Sequence, residues 1–186
     1  NQLGFNIGIG GIISLIFYCL LVRLPEIERR RRSKRRFERR YQIFKKDCIS
    51  IFLSVVDNSY EMKQVETLLC QAEFKNYFQH KVSDSQDRWH VLMNKSDQGT
   101  LDEIILAMEV FRDEISFVLN NTDISQDEPF EFFKNFSSAI HSIKDTSPEY
   151  EPTKQFYSFL WSLFSGWNIS TGYKQEDVVQ KMIRSI

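Results

Sequence analysis

FERRYQIFKKDCISIFLSVV, residues 37–56, carries the pattern that decides the fold. Phe37, Tyr41, Phe44, Cys48, Ile51 and Val55 recur at steps of 4, 3, 4, 3 and 4, which keeps them on one face of a helix. Ile49, Phe52, Leu53 and Val56 broaden that face toward its carboxy end. A coiled coil keeps a narrow seam over many heptads, whereas a stripe that widens belongs to a helix packed into a globular bundle. The bundle is the reading adopted.

Downstream the same period returns. Residues 59–80 place Met62, Val65, Leu68, Leu69, Ala72 and Tyr77 on one side, and residues 84–94 form a shorter segment with Trp89, Leu92 and Met93. Thr100-Leu101-Asp102-Glu103 has the form of a capping box. It opens an amphipathic run through Leu101, Ile104, Ile105, Met108, Phe111, Ile115, Val118 and Leu119, closed by Asn120 to Asp123 as a turn. Pro129 falls in the first turn of the next helix, whose apolar side uses Phe133, Phe136, Ile140 and Ile143. Residues 153–165 form another helix, stopped by Gly166, and a last short one covers 173–184. No apolar/polar alternation bounded by turns appears, so no sheet is expected. The domain reads as all-α, with five to seven helices.

Upstream of Phe37 the chain changes character twice. Residues 23–46 hold 12 of the 24 Lys+Arg against three acids, a net of +9, and residues 47–186 hold 12 basic against 22 acidic residues, a net of −10. Residues 3–24 read LGFNIGIGGIISLIFYCLLVRL and carry no charge before Arg23. An uncharged helix of about 20 residues matches the roughly 30 Å hydrocarbon core of a bilayer. The expected architecture is therefore a single transmembrane helix over 1–24, a polybasic juxtamembrane helix over 25–46 and an acidic helical domain over 47–186. Basic residues on the carboxy flank place that domain in the cytoplasm and the amino terminus outside, at an inner or plasma membrane. The sequons at Asn94, Asn120, Asn135 and Asn168 are then chance, because a cytoplasmic domain does not meet the glycosylation machinery.

Three sets of side chains are candidates for contacts. Gly4, Gly8 and Gly11 share a helix face and would let a second transmembrane helix approach closely. Arg29, Arg30, Arg31, Arg32, Lys34, Arg35, Arg36, Arg39 and Arg40 are assigned to anionic lipid, each contributing on the order of 1 kcal/mol near the surface. Nucleic acid is the less favoured partner, because the stretch starts within a turn of a like-charged bilayer. An acidic surface, within the chain or on a partner, is the other alternative. Phe156, Tyr157, Trp161 and Trp167 lie in an uncharged, aromatic-rich stretch, residues 155–173. It reads by default as a helix in the bundle centre, with a protein-binding patch as its functional reading.

Catalytic signals are few. His80, His90 and His141 are isolated in sequence, and Asp87-x-x-His90 is half of a di-iron pattern whose second half is missing. No Gly-rich phosphate loop, nucleophile elbow, Cys-x-x-Cys or His-Glu-x-x-His appears. Three cysteines, Cys19, Cys48 and Cys70, make no disulfide framework. No cofactor, metal or small-molecule substrate is expected. The sequence reads as a membrane-anchored adaptor or assembly subunit that binds another protein or itself. A membrane effector of bacterial defence or toxicity acting by transmembrane oligomerisation, and an enzyme lacking a readable motif, are the alternatives.

Overall fold

The computed structural model describes residues 12–57, 59–124, 126–143 and 150–186. They form an all-helical bundle built around one long helix, α1 (Leu24–Val56). Around it come α2 (Met62–Leu68), α3 (Gln71–Gln79), α4 (Arg88–Lys95), α5 (Gln98–Asn121), α6 (Asp127–Ile143), α7 (Tyr150–Ser165) and α8 (Val178–Ser185). Helix α1 touches α2, α4, α5 and α8; α5 and α8 pack on α6, and α7 closes over α3 and α4.

The stripe on α1 drifts as a straight 3.6-residue helix must. Phe37, Tyr41, Phe44 and Cys48 are fully buried, but beyond them the buried set is Ile49, Phe52 and Leu53, while Ile51 and Val55 are half-buried. Two aromatic clusters result. Phe37, Tyr41 and Phe44 meet Phe111 of α5, with ring centroids 5.8, 5.5 and 5.0 Å away, and Phe133 of α6 packs 4.9 Å from Phe37. Phe52 meets Phe74, Phe78, Trp89 and Phe164. Phe44 and Phe164, 6.0 Å apart, join the two clusters. A single helix thus runs from the polybasic segment into the core, with no break at 46/47.

Several boundaries differ from the sequence reading. The helix expected over 59–80 is two, because the chain turns at Leu69 and Cys70. The capping box at Thr100 is not used. Asp97 caps α5 instead, accepting from the Thr100 N–H and hydroxyl at 2.8 Å each, so the helix starts three residues earlier than a Thr100 cap implies. These two hydrogen bonds, the backbone one first, hold the Asp97 carboxyl below the usual carboxylate range. The expectation of no sheet is corrected by two short antiparallel hairpins, β1 (Lys81–Ser83) with β2 (Gln86–Asp87) and β3 (Trp167–Asn168) with β4 (Gly172–Tyr173). Strands of two or three residues are too short to show alternation.

Gly166 ends α7 as read, at φ +71°. Its Cα lies against Gln71, whose amide nitrogen donates to the carbonyls of Ser165 (2.9 Å) and Lys174 (2.8 Å) and so ties α3 to the β3–β4 hairpin. A Cβ at Gly166 would fall 1.7 Å from that nitrogen, whereas one at Gly172, also at φ +71°, meets nothing. Gly172→Ala should therefore cost only the left-handed penalty, about 1–2 kcal/mol. Gly166→Ala should cost about 1–3 kcal/mol more from the clash. Urea unfolding of the two variants checks the difference, and equal losses would mean that Gln71 swings away freely.

Before α1 the helix continues back to residue 12, passing through a π-turn at Cys19–Arg23 in which the Leu24 N–H bonds to the Cys19 carbonyl. The cause is Pro25, which has no N–H and whose ring presses on the carbonyl four residues earlier; the wider turn absorbs it. Residues 12–24 are exposed on every side. Among the described residues no helix is long and apolar enough to cross a membrane. Gly4, Gly8 and Gly11, and with them the helix-packing face, lie outside the described residues, as does about half of the apolar stretch.

Candidate functional site

Two surfaces qualify: the basic face of α1 and an aromatic cleft near its other end.

The nine basic side chains assigned to lipid divide by direction. Arg30 pairs with Asp123 at 3.0 Å. Arg36 Nε lies 2.8 Å from Glu114, Arg40 Nε 3.6 Å from the same carboxylate, and the Arg36 guanidinium also sits 4.5 Å from the Phe117 ring centre. Lys34 donates to the Arg184 carbonyl of α8. Arg32 pairs only with Glu28, one turn back on the same exposed face. Arg29, Arg31, Arg35 and Arg39 are exposed and make no ion pair among the described residues. Glu114 is 7% exposed, so its charge depends on Arg36 and Arg40. The acidic-surface alternative thus accounts for three of the nine basic residues, Arg30, Arg36 and Arg40, whose carboxylate partners lie in the same chain, and Lys34 adds a bond to a backbone carbonyl.

A second buried charge was not legible in the sequence. Lys45, counted there with the polybasic run, is 3% exposed. Its ammonium bonds to Asp177 at 3.0 Å and to the Leu69 carbonyl at 2.9 Å. Asp177 also accepts the Tyr41 hydroxyl at 2.8 Å and caps α8 through the Gln180 N–H at 3.1 Å. Burial pushes the Tyr41 phenol well above its usual range, and the Asp177 charge pushes it further, so the ring stays a neutral donor. The signal that was available is position: Lys45 lies four residues from both Tyr41 and Ile49, on the edge of the apolar stripe.

The cleft encloses about 740 Å³, the size of a small-ligand or short-peptide site. All three tryptophans of the chain, Trp89, Trp161 and Trp167, line it together with Met93, Tyr157 and Ile169. Of the residues assigned to partner binding, Phe156 (2% exposed) is a core side chain outside this lining. Tyr157 is buried and gives its hydroxyl to Ser96; burial raises its pKa to about 12. Trp161 is half-buried, 5.0 Å from Trp89. Trp167 is exposed on β3, beside Ile169 at the fully exposed hairpin tip. The hairpin is fixed to α3 by Lys75 over the Tyr173 ring (3.6 Å) and by Gln79 donating to the Tyr173 hydroxyl (2.7 Å).

Asp87 and His90 also line the cleft: Asp87 caps α4, and the same oxygen takes both the backbone N–H of His90 (2.9 Å) and its ring Nδ1 (2.8 Å). Asp87 and His90, noted in sequence as half a metal pattern, therefore bond to each other. No group of three or more His, Cys, Asp or Glu able to hold a metal converges among the described residues. Ser162 turns its hydroxyl back to the Ser158 carbonyl, 3.0 Å away, on its own helix. The arrangement offers rings and a polar rim, which suits recognition. No family model, curated protein or solved structure matches the chain.

Proposed function

We propose that the chain is a membrane-tethered, all-helical interaction protein: its amino-terminal apolar segment enters the bilayer, and its bundle offers the tryptophan cleft to a protein partner on the cytoplasmic side. The observation that carries this reading is the bare apolar surface of the helix leading into α1. Ile12, Ile13, Leu15, Ile16, Phe17, Leu20, Leu21 and Val22 are 48–70% exposed among the described residues. A contiguous apolar surface of this kind, left in water, is an aggregation liability, and lipid is the medium that removes the cost. The uncharged sequence runs over residues 3–22, a length that as a helix would reach about 30 Å, and the arginines that follow favour the cytoplasmic orientation.

Expression of the full chain with a reporter fused after Ile186 tests this. The protein should stay in the membrane fraction after alkaline extraction, and a reporter that is active only outside the cytoplasm should be silent. Release into the soluble fraction would remove the tether. Strong reporter activity would reverse the orientation and make the four sequons accessible.

A further inference from the structure

On α1, Arg31, Arg35 and Arg39 follow one another at four-residue steps, so they form a ladder about 12 Å long on one face. Arg32 borders it; of the two acids beside it, Glu28 is taken by Arg32 and Glu38 accepts from Gln180 of α8. The ladder faces away from Phe37, Tyr41 and Phe44, which are buried. The residues with carboxylate partners in the bundle, Arg30, Arg36 and Arg40, lie toward α5 and the turn that follows it. One helix therefore carries two basic sets with different surroundings: one neutralised within the fold, the other left bare.

An upright α1 would leave only Arg31, about 10 Å beyond Leu24, within reach of anionic headgroups, with Arg35 and Arg39 beyond it. At 1.5 Å per residue Arg39 would stand about 22 Å beyond Leu24, past a headgroup layer of about 5–7 Å and a Debye length of about 8 Å. The structure holds residues 12–56 as one continuous helix, and a bend ahead of α1 on meeting the bilayer would remove that distance. The helix is weakest there, at the π-turn Cys19–Arg23 followed by Pro25. Lying flat on the ladder would also put the acids that pair with the inner arginines, and residues 47–186 with their net −10, on the side away from a negatively charged surface.

We propose that α1 lies along the bilayer on its outer face, with Arg31, Arg35 and Arg39 on anionic lipid headgroups, while Arg30, Lys34, Arg36 and Arg40 clamp the helix to the bundle. The proposal rests on the membrane reading above. It replaces a uniform lipid-binding stretch with two sets of opposite role. Nucleic acid is the competing polyanion; the ladder's continuity with a bare apolar helix favours lipid.

Full-length protein in vesicles tests it with a fluorophore at one cysteine, against a nitroxide quencher on the lipid headgroups. Cys48 is fully buried, and Cys70→Ser removes one exposed thiol, leaving Cys19 as the probe of the apolar segment. In a second protein, Cys19→Ser, Cys70→Ser and Gln42→Cys put the probe just past Arg39. In vesicles containing phosphatidylglycerol the position-42 probe should be quenched roughly twofold, and about 1 M salt should reverse it. Vesicles of phosphatidylcholine alone should not quench it. Arg31→Gln/Arg35→Gln/Arg39→Gln should abolish the quenching without lowering the unfolding temperature. Arg36→Gln/Arg40→Gln should lower the unfolding temperature. A quenched Cys19 probe beside an unquenched position 42 would mean that α1 stands upright, which overturns the proposal but keeps the tether. An unquenched Cys19 probe would overturn both. RNA shielding position 42 from iodide in phosphatidylcholine vesicles, with no effect of phosphatidylglycerol, would assign the ladder to nucleic acid instead.

Discussion

Phe52→Ala is expected to destabilise the bundle by about 3–5 kcal/mol, toward the upper end of that range. The side chain is fully buried, and its ring centre lies 5.4 Å from Phe164, 5.6 Å from Trp89, 6.1 Å from Phe78 and 6.3 Å from Phe74. Those four rings belong to α3, α4 and α7, so Phe52 is the point where three helices close on α1. Flat, rigid neighbours refill a void poorly, and each edge-to-face pair adds about 0.5–1.5 kcal/mol beyond its buried area. Phe130→Ala, at a side chain 37% exposed on α6, should cost less than about 1 kcal/mol and serves as the control. Urea midpoints at unchanged slope measure both. A small loss at Phe52 would show that α3, α4 and α7 reach their places without α1. The tryptophan cleft is lined by α4 and α7, so its geometry should change in the same variant.

The apolar stripes were legible because burial of large side chains dominates the energetics and leaves a 3.6-residue period in the sequence. The stripe from Phe37 to Cys48 and the run from Leu101 to Val118 are core in the structure, and Gly166 stops its helix as read. Starts and breaks were less legible. Asp97 and Thr100 both suit a cap, and only the fold selects between them. The cleft was half legible. Trp161 and Trp167 stood out in one uncharged stretch, but Trp89 and the Asp87–His90 pair come from 70 to 80 residues earlier and join them only through packing of α7 on α4. Trp161 spans both roles, packing on Phe74 and Trp89 while lining the cleft. Trp167 is the cleaner probe of binding.

Charge was the least legible property, because a lysine or arginine reads as surface until its partner is known. Lys45 and Asp177 are 132 residues apart, and no local pattern links them. Their side chains are 4% and 10% exposed. Lys45→Met should cost about 3–5 kcal/mol, because it leaves the Asp177 carboxylate buried without its cation. The remaining Tyr41 and Gln180 bonds do not replace that charge. Asp177→Asn keeps an oxygen for the Gln180 cap and the Tyr41 hydroxyl but leaves Lys45 with only the Leu69 carbonyl, and it should also destabilise strongly. Together, Lys45→Met and Asp177→Asn should cost less than Lys45→Met alone, since no buried charge is left without a partner. Additive losses in the unfolding cycle would mean that water reaches the pair. The position of α8 depends on the outcome: Asp177 caps it, Lys34 holds its last turn through the Arg184 carbonyl, and Tyr41 and Lys45 bind the same cap from α1. The carboxy-terminal helix is thus fastened to α1 by polar side chains from the inner side of the basic segment, the side that the arginine ladder leaves for the bundle.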